Sequence, residues 1–389
     1  MNMKNKKIFT EVLIAAALLL SSSFPVFASD TAEVKTAAAQ TASVSEFKDA
    51  VINIAQIKFP LTSINGKVKM LSGATGLEKV TFKLLDSIFE ADGTVARDSG
   101  EHNLRVASSS VKFADIQKLI PSLAAFDIKS DFKLDCEVKG PPASPVLNAK
   151  LESAGGDFSF PKLAGELKGV NISAIKLNVT YAAGKYDIQS LSFKALDGSV
   201  NLRGIYDPDK TSETALEFQA DNIDAAKLAS YFEKYAGKIT GSLRTKFSVK
   251  NFMNEDDMSA AGNINFQNGV LKDFDFLKKL GEKLKSPVEK IDYDFIGGDF
   301  DLAKGKKLDF KDFRVDSKIL KLKTSGAIGA DKKVAAKLFA QAEGALLGNK
   351  IKNKKLASIF KKAVSEVKLN FIIGGTVDDP KIELDMGQR

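Results

Sequence analysis

The chain has 389 residues, of which 44% are hydrophobic and 27% charged, and this hydrophobic content excludes a wholly disordered protein. One cysteine, Cys136, and one histidine, His102, cannot supply a Cys/His zinc site or a disulfide framework. The formal net charge of +8 is spread along the chain and carried mainly by lysine, which argues against nucleic acid as a partner and favours an anionic membrane surface.

The N-terminus has the pattern of a secretory signal peptide over residues 1–28. Three lysines among the first seven residues precede an apolar run from Val12 to Leu20, and small residues at a cleavage site end at Ala28. The run is shorter than the roughly 20 residues that span a bilayer. We therefore predict cleavage after Ala28 and a periplasmic mature protein. The alternative is an uncleaved inner-membrane anchor over residues 8–27.

The segment that follows is predicted to be a flexible linker over residues 29–45, because its residues are small and polar. A short amphipathic helix is predicted next, since Phe47, Val51 and Ile54 fall at helical spacing. Residues 46–129 as a whole are predicted to be a β-rich N-terminal region.

From about Phe59 onward, apolar and polar residues alternate, which is typical of strands with one apolar face. Cys136 takes the apolar phase of such a strand, which predicts a buried, unreactive thiol. Dipeptides that favour positive φ separate the strands and predict antiparallel hairpins. They are Asn65-Gly66, Asp92-Gly93, Asp197-Gly198 and Asn268-Gly269.

Three amphipathic helices are predicted within this meander, over residues 224–235, 274–285 and 354–363, with Asp224 as the N-cap of the first. The simplest interpretation is that they cover an exposed edge or end of the sheet. Lysines surround the apolar stripe of the third helix, as in helices that lie at a membrane surface. The candidate membrane-surface residues are Lys354, Lys355, Lys361 and Lys362.

No sequence pattern indicates catalysis, a metal or a cofactor. His102 lies in a polar turn that opens a strand and is predicted to be a surface histidine. Neither a phosphate-binding loop nor a nucleophile elbow occurs. Four aspartates that crowd one stretch alternate with apolar residues, so they are predicted to be the outward phase of a strand. They are Asp292, Asp294, Asp299 and Asp301.

The run from Gly262 to Leu384 resembles the C-terminal region of the AsmA-like proteins, the envelope family related to TamB. The order of its features carries the resemblance: a strand that ends in Asn268-Gly269-Val270-Leu271, a helix with Phe276 and Leu280, a Gly-Gly hairpin segment, and a terminal Gly374–Pro380 turn. Residues 130–261 resemble the preceding AsmA-like repeats more loosely. This divides the chain into β repeats over 130–261, with a helix near 224–235, and an AsmA-like C-terminal region over 262–389.

The resemblance implies a mainly β fold, an elongated and twisted antiparallel sheet curled into a groove, with an apolar inner face and a few short helices. It also implies phospholipid movement or outer-membrane assembly in the periplasm of a two-membrane bacterium. Members of the family are typically longer and held by an N-terminal transmembrane helix, whereas this chain is shorter and its N-terminus is predicted to be cleaved.

A groove of this kind must offer continuous apolar surface. Moving a two-chain lipid through water exposes about 32 methylenes, or about 25 kcal/mol, and the 27 phenylalanines suit such a surface. We therefore expect a non-enzymatic protein that binds or transfers lipid acyl chains. The alternative is a periplasmic scaffold with an envelope protein as partner, whose apolar sheet face is only structural core. The groove candidates are Ile264, Phe266, Phe295, Val315, Leu320, Leu369 and Phe371.

Overall fold

A computed structural model describes residues 44–53, 59–119, 127–159, 170–207, 210, 214–251, 257–283, 289–303, 307–318, 320–343 and 366–385. The predicted signal peptide, the predicted linker up to residue 43 and the predicted helix over 354–363, with its four candidate lysines, lie outside these residues. Within the described ranges, no helix has the length and apolar character needed to cross a membrane.

The described part of the chain is mainly antiparallel strand with three short helices, so the predicted fold class is confirmed. The chain divides into two compact units. The first comprises Met1–Lys194 and Arg203–Lys210, and the second comprises Ala195–Leu202 and Thr211–Arg389. Strand β11 (Gly198–Tyr206) contributes residues to both.

The first unit is a meander in which most strands pair with their neighbours in sequence, while β5 pairs with β7 and β6 with β8. Helix α1 (Phe113–Leu119) follows β5. The strands are β1 (Val44–Ile52), β2 (Leu61–Leu71), β3 (Ala74–Leu84), β4 (Ser87–Ala96), β5 (His102–Lys112), β6 (Asp127–Ile128), β7 (Asp131–Gly140), β8 (Val146–Ser159), β9 (Val170–Ala182) and β10 (Lys185–Ala195).

The second unit is an antiparallel meander from β12 to β20 in chain order. Helix α2 (Ala225–Ser230) follows β12, and helix α3 (Asp275–Lys283) follows β14. The strands are β12 (Ala215–Asp224), β13 (Ser242–Lys250), β14 (Ser259–Lys272), β15 (Lys290–Ala303), β16 (Lys307–Ser317), β17 (Leu320–Ile328), β18 (Val334–Glu343), β19 (Glu366–Gly375) and β20 (Pro380–Leu384).

The helix predicted around Phe47 and Val51 is wrong, because this segment forms β1, which also takes in the last two residues of the predicted linker. A register shift between Phe47 and Ala50 places both side chains toward the core although they are three residues apart. Asp49 lies in this bulge with φ of 50°, and its backbone N–H donates to Asn65 Oδ1 at 3.0 Å. The bulge therefore brings Phe47 and Ala50 to one face, whereas Val51, which the helical interpretation places beside Phe47, is 60% exposed.

Three of the four predicted turn dipeptides lie inside strands instead. Asn65-Gly66 falls at a register shift of β2, Asp92-Gly93 faces a bulge of β3, and Asn268-Gly269 lies within β14. Only Asp197-Gly198 closes a hairpin, with φ of 65° at Asp197. The same residue types that favour turns also favour strand irregularities, because both require unusual φ values.

Two predictions about single residues have opposite outcomes. Cys136 is fully buried as predicted, and burial raises the pKa of its thiol to about 12. His102 was expected at the surface, but it is only 3% exposed, because it takes the inward phase of β5 together with Leu104 and Val106. Its Nδ1 lies 3.1 Å from the carbonyl oxygen of Gly140, and its Nε2 has no hydrogen-bond partner among the described residues.

Two of the helices predicted within the meander, over 224–235 and 274–285, are found with shorter bounds. Asp224 caps α2 as predicted, since its Oδ1 accepts from the backbone N–H groups of Ala226 at 2.8 Å and Lys227 at 3.0 Å. The helix ends at Ser230, and turns follow to Lys238. The crowded aspartates of β15 are exposed, as predicted, on the outward face of the strand.

The apolar face of the first unit is a buried core from β1 to β8. Residues such as Leu61, Ile64 and Val80 are at most 1% exposed, and Phe82 stacks on Phe89 with ring centroids 5.4 Å apart. Helix α1 packs on this core and is fixed by buried Asp115, which accepts from the Asp86 backbone N–H at 3.0 Å and from Ser87 Oγ at 2.8 Å. In this unit, therefore, the alternation of the strands produces structural core.

Candidate functional site

The second unit has a different arrangement, in which helix α3 lies against the inner face of the sheet. Leu277 and Leu280 of this helix are 2% and 0% exposed, and they pack with Ile291 and Tyr293 of β15. Burial raises the pKa of Tyr293 to about 12, and its hydroxyl donates to the carbonyl oxygen of Thr240. The polar atom of this buried side chain is thus satisfied.

The inner face is formed by rows of apolar side chains that cross the sheet from strand to strand. In one row, Phe266 of β14 pairs with Ile296 of β15, which pairs with Val315 of β16. Cross-strand partners face the same side of the sheet, so the row continues over seven strands as one apolar surface. From β13 to β19 its members are Leu243, Phe266, Ile296, Val315, Leu322, Ala340 and Leu369.

A cavity of about 250 Å³ lies between α3 and this face, and we name it the α3 cavity. Phe274, Phe276 and Leu277 line it from the side of the helix, and residues such as Ile296 and Val315 line it from the sheet. Every lining residue except Thr324 is apolar. The hydroxyl of Thr324 donates to the carbonyl oxygen of Lys337 at 2.9 Å, so it does not present an unsatisfied polar atom.

A strip of half-buried phenylalanines extends the apolar face beyond the cavity. Phe218 and Phe247 have ring centroids 4.7 Å apart, and Phe247 and Phe300 have centroids 6.1 Å apart. Gly262 lies between Phe247 and Phe300 in the cross-strand row, and a Cβ there would come within 2.4 Å of Phe247 Cβ. Phe300 pairs with Phe310, which lines the α3 cavity. The phenylalanine strip therefore leads to the cavity.

Two ion pairs connect distant parts of the second unit, and we name them the lysine clasp. Lys279 Nζ of α3 donates to Asp379 Oδ1 at 2.5 Å and to the carbonyl oxygen of Pro380 at 3.0 Å. Lys234 Nζ, beyond α2, donates to Asp378 Oδ1 at 3.0 Å. The hydrogen bonds from these lysines lower the pKa of both carboxyl groups.

The lysine clasp requires the sheet of the second unit to curl. Strands β14 and β20 are six strand spacings apart, which in a flat sheet would be about 29 Å. Helix α3 starts just after β14 and has nine residues, so it covers only about 14 Å. Because its Lys279 reaches the residue next to β20, the sheet curves around α3, and the cavity lies on the inner side of this curve.

The structure brings most of the predicted groove residues to this face. Leu320 and Phe371 are buried in the core cluster beneath α3, and Phe266, Val315 and Leu369 pack against it. Of the predicted residues, Val315 lines the α3 cavity itself. Ile264 is two residues from Phe266 in β14, so its side chain lies on the same face of the sheet. Its cross-strand partner in β15 is Gly298.

The prediction for Phe295 is wrong, because this residue lies on the opposite face. It pairs with Gln267 and Asp316, and the Arg314 guanidinium lies 4.5 Å from the centroid of its ring. A register shift between Tyr293 and Phe295 changes the phase of β15, so Ile296 takes the inward position instead.

Sequence reasoning missed Phe310 and Phe313, two wall residues of the cavity. They are three residues apart in β16 and both face inward, because a register shift separates them and Asp312 has φ of 48°. The signal that could have found them is the F-x-x-F spacing beside a residue type that tolerates positive φ.

Within the ranges that the structure describes, no group of three or more His, Cys, Asp or Glu side chains is placed to hold a metal ion. Comparison of the chain with protein-family models, with curated proteins and with solved structures finds no match. The arrangement of the second unit is therefore the basis for a functional interpretation: an apolar cavity beneath α3, an apolar strip that leads to it, and charged groups that close the curl.

Proposed function

We propose that the protein binds lipid acyl chains in the α3 cavity and along the phenylalanine strip, as a non-enzymatic AsmA-like protein of the cell envelope. Its role would be the binding or transfer of phospholipid in outer-membrane assembly or phospholipid homeostasis. The observation that supports this most directly is the cavity of about 250 Å³ whose lining is apolar apart from Thr324. The proposed periplasmic location rests on the signal peptide predicted over residues 1–28.

The size of the α3 cavity suits part of an acyl chain. An apolar cavity of about 150 Å³ binds benzene, which has six carbons, so about 250 Å³ accommodates about ten carbons in proportion. Burial of about ten methylenes supplies about 8 kcal/mol before the costs of association are subtracted. The rest of a longer chain would lie on the half-buried rings of Phe218, Phe247 and Phe300.

A second candidate function is that of an envelope scaffold with a protein partner. The buried core of the first unit favours it, since the apolar face from β1 to β8 is already covered by the unit's own side chains. The two functions differ in what accompanies the purified protein: acyl lipid for the first, and a stoichiometric envelope protein without lipid for the second.

The deciding experiment is mass spectrometry of the protein purified from its native envelope, with lipid extraction from the same sample. We expect co-purified phospholipid, and we expect the delipidated protein to bind cis-parinaric acid, a fluorescent fatty acid. A protein that retains no lipid and binds no cis-parinaric acid would contradict the proposal. The same spectrum tests for a mature N-terminus at Ser29.

A further inference from the structure

The surface around the lysine clasp has more cations than anions. Asp378 is close to Lys332 as well as to its partner Lys234, and both lysines lower its pKa. Asp379 is likewise close to Lys381 and to its partner Lys279. Two carboxylates are thus shared among four lysines. Nearby, Lys278 pairs with Asp275 at 3.9 Å, and Lys333 pairs with Asp331 at 2.8 Å, and these pairs leave the positive excess unchanged.

Exposed apolar side chains accompany these lysines. Val377, next to Asp378, is 45% exposed, and Tyr235, next to Lys234, is 38% exposed. An aromatic ring and an aliphatic side chain among lysines are typical of a surface that rests in the headgroup region of a bilayer. Tyr235 also stacks on Phe274 with ring centroids 6.3 Å apart, and Phe274 lines the α3 cavity. The surface is therefore in direct contact with the wall of the cavity.

The ion pairs of the clasp are of the kind that another anion can replace. The side chains of Asp378 and Asp379 are 63% and 73% exposed, and that of Lys234 is 61% exposed. Exposed pairs of this kind contribute little to stability and are screened by salt. A lysine near an anionic lipid leaflet is attracted to the lipid phosphates about as strongly as to the carboxylate of an exposed ion pair. Replacement of the aspartate by a lipid phosphate therefore costs little free energy.

We infer that this surface docks on an anionic phospholipid bilayer, where lipid phosphates replace Asp378 and Asp379 as the partners of Lys234 and Lys279. The clasp then opens, and the α3 cavity exchanges its acyl chain with the bilayer. The inference rests on the proposed function for the exchange of the chain, whereas docking on the bilayer is measured independently of it.

Docking is tested by flotation of the full mature chain with vesicles of phosphatidylglycerol or of phosphatidylcholine. We expect binding to phosphatidylglycerol to be stronger, and the variant K234Q/K279Q to lose affinity for it by about 30-fold, which corresponds to two lysine contacts with an anionic surface. The matched control K321Q/K337Q removes two exposed lysines from β17 and β18 and is expected to bind as the wild type does. Equal losses in both variants, or equal binding to both vesicles, would overturn the inference.

Opening of the clasp is tested by the rate at which bound cis-parinaric acid moves from the protein to vesicles. The wild type is expected to transfer it faster to phosphatidylglycerol than to phosphatidylcholine. The variant D378N/D379N, whose clasp is weakened without any bilayer, is expected to transfer to phosphatidylcholine faster than the wild type does. If that variant transfers to phosphatidylcholine no faster than the wild type, the clasp does not control exchange. If the wild type binds no cis-parinaric acid at all, the proposed function fails, while the flotation result still decides the docking.

Discussion

Filling the α3 cavity with a side chain is the sharpest test of acyl-chain binding. Ala336 lines the cavity from β18 and is 7% exposed. In Ala336→Phe, a benzene-sized ring would occupy about 150 Å³ of the cavity's 250 Å³. The remaining volume would accommodate about four carbons of an acyl chain, compared with about ten in the wild type. The loss of about six buried methylenes corresponds to about 5 kcal/mol at most.

We therefore expect Ala336→Phe to weaken binding of cis-parinaric acid by at least a hundredfold in a fluorescence titration. This is less than the full loss, because the acyl chain of the ligand still contacts the phenylalanine strip. Ala335→Phe is the matched control, because Ala335 is exposed on the opposite face of the same strand. It is expected to leave the affinity unchanged. Thermal unfolding checks that both variants are folded, since overpacking costs about 1–3 kcal/mol. Equal affinity in a folded Ala336→Phe protein and in the control would refute the cavity as the binding site.

The other predictions concern the core, the thiol, a helix cap and pH. Phe371→Ala is expected to lower the free energy of unfolding by about 3–5 kcal/mol in a denaturant titration, because a 2% exposed ring leaves a cavity; a loss below about 1 kcal/mol would show that this residue is not core. Cys136, with a pKa of about 12 and no exposure, is expected to react with a thiol reagent more than a hundredfold faster in denaturant than in the folded protein. Asp224→Ala removes the acceptor for two N–H groups of α2 and is expected to cost about 1 kcal/mol of stability in the same titration. The pKa of Asp379 is lowered in the folded protein, so its ion pair stabilises the clasp above the unfolded pKa of about 4 and is lost as pH falls through the folded value; hydrogen exchange of the amides at 376–379 is expected to show greater protection at pH 6 than at pH 3 after correction for intrinsic rates.

The alternation of apolar and polar residues was sufficient to predict the fold class and the burial of Cys136. The same alternation predicted that five of the groove candidates share one face, since side chains in a regular strand alternate between the two faces of the sheet. These five are Phe266, Val315, Leu320, Leu369 and Phe371.

Bulges account for most of what could not be predicted. Each adds a residue to one strand and exchanges the inward and outward phases beyond it. This is why Phe295 lies on the face opposite to the predicted one, and why the inward positions of both Phe310 and Phe313 do not follow from regular alternation. The position of a bulge depends on hydrogen bonds to the neighbouring strand, such as that from the Asp49 N–H to Asn65, and a single sequence does not specify that neighbour.

The apolar faces of the two units differ because of contacts that the alternation of apolar and polar residues does not indicate. Both have alternating strands, yet the first covers its apolar face from β1 to β8 with its own side chains, whereas the second covers its face with α3 and leaves space beneath it. Helical spacing predicted α3 as an element. Its position across the sheet depends on contacts that are distant in the chain: Leu280 belongs to the same core cluster as Ile382 of β20, and Lys279 bonds to partners 100 and 101 residues away.

The topology of the second unit has a consequence for the order of folding. From β12 to β20 every strand pairs with its neighbour in sequence, so hairpins can add one after another with small losses of loop entropy. The clasp, by contrast, joins residues 144 and 100 positions apart, and its exposed ion pairs supply little energy to close such long loops. The sheet would therefore assemble first as an open ribbon, and the curl around α3 would be completed last.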